Sequence, residues 1–284
     1  MIQVNQLFFR YPGCRDYTLR EISFAIGKGE VFGFLGPSGA GKSTLQKILI
    51  GMLRQYEGQV VVLGEEISRT GSDFYQRIGV AFEFPNFYGR FTALENLELF
   101  RSLYAGRTKS SLAMLEEVGL EEHRNVRVSD FSKGMKMRLN LCRALLHDPD
   151  LLFLDEPTSG LDPFNAKMVK SLILQKKAAG KTVLITTHNM QAAEELCDRI
   201  AFVVDGKIVL MDTPRNLKLR NGEPKLHVEY RRSGVLLREE FSLKGIGHNP
   251  VFLETLRKQS VETIHTAEAS LEDVFVRATG RSLE

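Results

Sequence analysis

Residues 36 to 44, Gly36-Pro37-Ser38-Gly39-Ala40-Gly41-Lys42-Ser43-Thr44, follow directly on the apolar run Val31-Phe32-Gly33-Phe34-Leu35. A short apolar run of this kind reads as a buried strand, and G-x-x-x-x-G-K-S at its end reads as a cradle for phosphate. The glycines at 36, 39 and 41 allow backbone angles that turn successive N–H groups toward one oxyanion, and the helix that follows aims its positive end at the same point. Leu45, Ile48, Leu49, Met52 and Leu53 recur at helical spacing, giving that helix an apolar stripe to dock on a sheet. Lys42 brings a point charge for the β- and γ-phosphates, and Ser43 a hydroxyl for Mg²⁺. A strand, a cradle and a docked helix demand an α/β fold and a nucleoside triphosphate, and the loop specifies no more than that.

The remainder of the chain must decide what the triphosphate is for. At 284 residues, with 43% hydrophobic and 26% charged, there is enough sequence for one large domain and a small one. A net charge of +3 gives no whole-chain reason to expect nucleic acid. Cys14, Cys142 and Cys197 are odd in number and dispersed, so neither a disulfide framework nor a zinc site is expected. The opening Met-Ile-Gln-Val-Asn carries no basic-then-apolar signal, and no apolar run approaches the roughly 18 residues of a spanning helix. Cytoplasmic residence follows as the expectation, with any membrane role exercised through a partner.

Residues 2 to 35 alternate apolar runs with turn residues and read as an antiparallel β-edge leading into the cradle strand. Tyr11 stands in a turn of that edge, where its ring is either a stacking surface for a purine or an ordinary turn tyrosine. Strands are expected at 59–63 and 78–82. From Phe84 the texture changes: Phe84, Phe87, Tyr88 and Phe91 cluster around Pro85. A capping box at Thr92 and Glu95 opens a helix to about Tyr104, and a second helix over 110–118 stops at Gly119. These aromatics read as the core of a helical insertion or as a docking groove.

A helix follows from Ser132, its N-cap, with Met135, Leu139, Cys142, Leu145 and Leu146 on one face. Lys133, Lys136 and Arg138 crowd its first turns, where the helix dipole is already positive. That costly placement suggests an anion in front of the helix. Next comes Leu151-Leu152-Phe153-Leu154-Asp155-Glu156, a buried strand delivering two carboxylates at its C-terminal end, where ligands gather in parallel sheets. Neighbouring acids on a strand point opposite ways, so Asp155 would reach Mg²⁺ and Glu156 could polarise an attacking water. Asp162-Pro163 opens another helix. A last core strand, 182–187, ends at His188, beside the Asp155 strand and so near the γ-phosphate.

Taken in order, Tyr11, Gly36 to Thr44, Phe131 to Met135, Asp155-Glu156, Ser159 to Asp162 and His188 resemble the nucleotide-binding subunit of an ATP-binding cassette (ABC) transporter. The resemblance spans residues 2 to about 217. It implies a P-loop NTPase core, residues 1–220, with an antiparallel β-subdomain and a helical signature insertion at about 84–146, and a small C-terminal α+β appendage, 221–284. It further implies that Tyr11 stacks on adenine, Asp155 serves Mg²⁺, Glu156 is the catalytic base and His188 senses the γ-phosphate. Ser132, Lys133, Gly134 and Met135 would face the ATP of a second subunit, with Asp162 in the loop joining the two sites. One cradle and one signature helix per chain then require a second copy or a paralogue, and the transported substrate passes through separate integral-membrane chains. The chain would be peripheral on the inner face of that membrane.

Two positions depart from the family pattern. Phe131-Ser132-Lys133-Gly134-Met135 stands where Leu-Ser-Gly-Gly-Gln is usual, and Glu83 stands where a glutamine normally touches Mg²⁺. A carboxylate there can coordinate the metal more strongly. Both departures, with the tail Ser270-Leu271-Glu272-Asp273-Val274-Phe275, are similar to the branch of bacterial exporters for drugs, antibiotics, sodium and peptides. Weighed against export are a soluble cassette ATPase acting on ribosomes or nucleic acid, and a module that binds ATP without hydrolysing it. The first lacks the usual second cassette or basic insertion, and the second has no use for Glu156 with His188.

Overall fold

The computed structural model describes residues 1–221, 224–232, 234–267 and 269–281. In chain order the first part comprises β1 (Ile2–Phe9), β2 (Leu19–Ile26), β3 (Val31–Leu35), α1 (Lys42–Leu49), β4 (Glu57–Val62), β5 (Glu65–Glu66), α2 (Ser72–Tyr75) and β6 (Ile78–Ala81). There follow α3 (Ala93–Arg101), α4 (Ser111–Glu117), α5 (Lys133–Leu145), β7 (Leu151–Asp155), α6 (Pro163–Ala178), β8 (Thr182–Thr187), α7 (Met190–Leu196), β9 (Arg199–Val204) and β10 (Lys207–Asp212). A four-stranded sheet runs β2-β1-β4-β5, and a six-stranded sheet runs β10-β9-β3-β8-β7-β6.

Burial separates the two sheets as their sequences do. β3 and β8 are buried at every residue, which a strand achieves only when both faces are covered. β1 and β2 alternate buried with exposed residues, the mark of a sheet with one wet face. Between the sheets the stripe of α1, Leu45, Ile48 and Leu49, joins Ile2, Leu7, Phe24, Phe32, Phe34 and Phe153 in one core. Helix α1 is therefore packed against residues of both sheets.

The parallel register places the chemistry. Leu35 lies opposite Thr187 and Asp155 opposite Thr186, so β3, β7 and β8 end flush, and the segments that leave them emerge at one edge. Residues 182–187 are not the last core strand, as expected from the sequence. β9 pairs in parallel with β3, and β10 closes that edge of the sheet. The turn between them, Asp205-Gly206, has both residues at positive φ.

The helical insertion begins with α3, where the Thr92–Glu95 capping box is formed. The helix ends at Arg101 rather than at Tyr104. Ser132 caps α5 by accepting from the Met135 N–H at 3.2 Å. Helix α5 packs on β6 as well as on α3 and α4, so it belongs to the insertion and to the sheet at once.

The chain divides into a unit over Met1–Met211 and a second from Asp212 onward, whereas the sequence placed the boundary at 220. The reason is α8 (Pro214–Asn221), which packs on α10 (Leu271–Thr279), a partner far along the chain. The second unit also holds β11 (Lys225–Arg232), β12 (Val235–Ser242), α9 (Pro250–Lys258) and β13 (Ser260–Ala267). Its antiparallel sheet, β12-β11-β13, buries Leu226, Val228, Tyr230 and Phe241 against Phe252 of α9. Residues 222, 223, 233, 268 and 282–284 of the expected appendage lie outside the described residues. Among the described residues no helix is long and apolar enough to cross a membrane.

Candidate functional site

At the flush edge lies a cleft of about 250 Å³ lined by Thr18, the loop 38–44, Glu83, Asp155, Glu156 and His188. The loop enters it through Gly36 at φ 155°, where a Cβ would stand 2.1 Å from the Val203 carbonyl oxygen. Only glycine fits so close to another backbone. Lys42 folds back along the loop, Nζ donating to the carbonyls of Gly36 at 2.6 Å and Pro37 at 2.9 Å. Burial pulls the lysine pKa down, and the charges of Glu156, Asp155 and Glu83 oppose that pull. The cation is thus held among three carboxylates, at a wall that an anion can share.

The two neighbouring acids separate as the sequence suggested, by a sharper device than strand alternation. Asp155 ends β7 and accepts from the Thr186 hydroxyl. Glu156 leaves the strand at φ 48°, an unusual conformation for a residue with a Cβ, fixed by its N–H donating to the Thr186 carbonyl at 2.8 Å. This turn buries its carboxylate to 8% exposure. Oε2 accepts from Thr187 Oγ1 at 2.8 Å, and Oε1 accepts from the His188 N–H at 2.9 Å and meets His188 Nδ1 at 2.7 Å. The His188 side chain is 57% exposed, so the acid is fixed and the imidazole faces the cleft.

Burial pushes the Asp155 carboxyl above the ordinary carboxylate range, with the nearby Glu156 charge adding to the rise; the Thr186 hydrogen bond and Lys42 oppose it. A carboxyl whose pKa is raised by folding stabilises below its unfolded pKa and loses that contribution as pH climbs through the folded value. At neutral pH in EDTA without nucleotide, ionised Asp155 therefore costs stability. Asp155→Asn is expected to raise the midpoint of thermal unfolding by a few degrees at neutral pH. Scanning calorimetry across pH should find that gain vanishing as pH falls into the ordinary carboxylate range.

Ser43, Glu83 and Asp155 put a hydroxyl and two carboxylates on the wall of one cleft. These are the hard oxygen donors that suit Mg²⁺. Among the described residues no group of three or more His, Cys, Asp or Glu side chains is placed to hold a metal by itself. A few protein oxygens completed by phosphate is the usual arrangement for Mg²⁺, so the donor set fits a metal carried with a triphosphate.

The other expected site residues lie elsewhere. The Tyr11 hydroxyl is 3.1 Å from Thr44 Oγ1, and its ring stands edge-on to Phe9 at 5.0 Å, which ties it to the end of the cradle. It lines a separate cavity of about 480 Å³ with Arg10, Cys14, Tyr17 and Tyr56. Ser132, Lys133, Gly134, Met135 and Asp162 do not line the cleft. Lys133 lies on Gly160 so closely that a Cβ there would stand 2.4 Å from its Nζ. Asp162 caps α6 through the Phe164 and Asn165 N–H groups at 3.1 and 3.0 Å. These residues form one patch apart from the chain's own cradle. Sequence reasoning passed over Thr186 and Thr187, because threonine in a strand is ordinary, and Thr18, which stands in the bend just ahead of β2. For Thr186 and Thr187 the signal was their position at the end of the strand that delivers His188.

Residues 19–159 match the ABC transporter family, and residues 225–268 match the fluoroquinolone efflux ABC transporter C-terminal domain. The fluoroquinolones export ATP-binding protein of Mycobacterium tuberculosis is 52% identical over 284 residues, covering 100% of this chain and 94% of that protein. Nod factor export ATP-binding protein I of Rhizobium johnstonii is 36% identical, covering 94% of this chain and 91% of that protein. A dimeric ATP-binding cassette in a post-hydrolysis state, bound to ADP and Pi, superposes with a TM-score of 0.67 at 27% identity, over 75% of this chain and 98% of that one. The ATP binding subunit of an ABC transporter gives 0.70 at 27% identity, over 78% and 93%.

Proposed function

This chain belongs to the ABC transporter family as an ATP-hydrolysing export subunit, and on that premise we propose that it powers efflux by closing with a second cassette beneath separate membrane-spanning chains. The observation that carries the reading is the Glu156 carboxylate, buried and held by three donors at the wall facing the cradle. An acid so fixed can orient a water in line with a γ-phosphate without moving during the reaction. Lys42 and the N–H groups of residues 38–44 hold the phosphates, Tyr11 supports the adenine side, and the exposed His188 ring reaches the γ-phosphate while Glu156 fixes its orientation. Ser43, Glu83 and Asp155 would hold Mg²⁺, which when bound screens the phosphate charges.

Ser132, Lys133, Gly134, Met135 and Asp162 are absent from the lining of the chain's own cleft, which supports their use on the triphosphate of a mate, a second copy or a paralogue. Loss of the γ-phosphate removes the anion the two chains share, and the pair opens. A groove of about 430 Å³ between β6 and α3, with Phe84 74% and Leu103 67% exposed, suits an apolar segment of a membrane partner. Through that partner the chain sits at the cytoplasmic face of the membrane. The ribosome- or nucleic-acid-acting alternative finds no support, since the relatives named above, matched over 94% and 91% of their lengths, are named as export ATP-binding proteins. The names of the 52% identical relative and of the C-terminal domain matched at 225–268 make a fluoroquinolone the first cargo to assay.

Co-purification tests the assembly. The tagged chain is expected to bring down a polytopic membrane protein encoded beside it, and Leu103→Asp should abolish that capture while nucleotide binding by the isolated chain is retained. Recovery of salt-sensitive RNA or DNA in place of a membrane protein would overturn the reading.

A further inference from the structure

Helix α5 carries Ser132 at its start and reaches, in its middle, the loop that bears Glu83. Asn140 is 0% exposed, a costly place for an amide unless its groups are paired. Both are: Nδ2 donates to the Phe82 carbonyl at 2.7 Å, and Oδ1 accepts from Arg143 Nη2 at 2.6 Å. Arg143 Nη1 in turn donates to the Asn86 carbonyl at 3.1 Å, and its guanidinium lies 5.1 Å from the ring centroids of both Phe87 and Phe100. The strand β6 ends at Ala81, so the Phe82 carbonyl has no ladder partner and the helix supplies one. The loop is gripped on either side of Glu83, while the Glu83 side chain stays in the cleft.

We infer that Asn140 and Arg143 are positioning residues for Glu83, fixing the 82–87 loop to α5 so that the Glu83 carboxylate moves with the helix whose first turn carries Ser132. Asn140 stands about 12 Å along the helix axis from Ser132, at 1.5 Å per residue, and a helix of this length transmits a tilt at one end to the other as a rigid rod. Engagement of the signature turn by a second chain is then felt in the metal side of this chain's own cleft without a contact between the two. The inference rests on the reading that Glu83 faces Mg²⁺ and ATP.

Asn140→Asp tests it, because the variant keeps the shape and the acceptor for Arg143 but loses the donor to Phe82. Asn140→Ala, which removes both bonds without adding a charge, serves if the aspartate does not fold. Amide hydrogen exchange over 82–87 is expected to rise while protection of β7 and β8 is kept. The Kd of a fluorescent ATP analogue should weaken about tenfold in Mg²⁺, the usual cost of removing a group that orients a metal ligand, and stay unchanged in EDTA. In a Glu83→Ala background, which leaves no side-chain oxygen to position, the same substitution should add nothing further. Equal weakening in Mg²⁺ and EDTA, or unchanged exchange over 82–87, overturns the inference. If Glu83→Ala alone leaves the Mg²⁺ dependence of binding unaltered, the metal reading of Glu83 fails, and the exchange over 82–87 alone decides the positioning.

Discussion

Glu156→Gln is expected to lower ATP hydrolysis by about 10²- to 10⁴-fold, the usual worth of a positioned general base, while ATP binding persists and the chain accumulates as a nucleotide-bound pair. The structure explains why hydrolysis and binding should part. Glutamine keeps an acceptor for the His188 N–H and presents its amide to Thr187, whose hydroxyl can accept as well as donate. The left-handed backbone at 156, fixed through the Thr186 carbonyl, does not depend on the side chain. The site therefore keeps its shape and loses its base, and the closed state has no exit. Static light scattering with ATP and Mg²⁺ should report twice the monomer mass for the variant and the monomer for the parent after turnover. A variant that stays monomeric while binding ATP would sink the paired mechanism.

Gly36→Ala is expected to cost about 3 kcal/mol or more, as large as a severe core substitution, and to abolish nucleotide binding. The added methyl would meet the Val203 backbone carbonyl at 2.1 Å, and because a Cβ has no rotamer nothing relieves that. Either β3 and β9 part, or the cradle tips into its own cleft. For a chain of this size that energy corresponds to roughly a 10 °C fall in the unfolding midpoint. Gly39→Ala is the control: φ is 79° there but no atom lies within 4 Å of the added carbon, so only a backbone strain of about 1–2 kcal/mol is due. Differential scanning fluorimetry and titration with a fluorescent nucleotide would read both effects. Equal losses for the two variants would mean that the contact with Val203 is not what limits this position.

What the sequence disclosed was local. The cradle, the Thr92 and Ser132 caps and the apolar run before Asp155 are each written within a few neighbouring residues, and their expected elements stand close to where the chain forms them. What escaped depended on distant partners. β9 and β10 lie beyond the elements the sequence made legible although Asp205-Gly206 is a hairpin signal, because β9 takes its place in the sheet by pairing with the distant β3. The division at Met211 was not legible because α8 packs on α10, fifty residues on in the sequence. Within the cleft the kinds of residues were legible, but the left-handed turn at Glu156 and the threonine hydroxyls that fix both acids came only from strand pairing. The grip of Asn140 and Arg143 was hidden for the same reason: on a helical wheel they are one polar residue among apolar ones and one scattered cation.

The level ends of β3, β7 and β8 act as a length standard for the catalyst. Lengthening β8 by a single residue near Thr186 would reverse which way every later side chain faces and swing His188 off Glu156. Added residues ahead of Thr182, in the turn from α6, would leave that alignment alone. Variation in chains built this way should therefore collect at the far rim of the sheet, so that a library of insertions sorted by ATP turnover would map the rim by what survives.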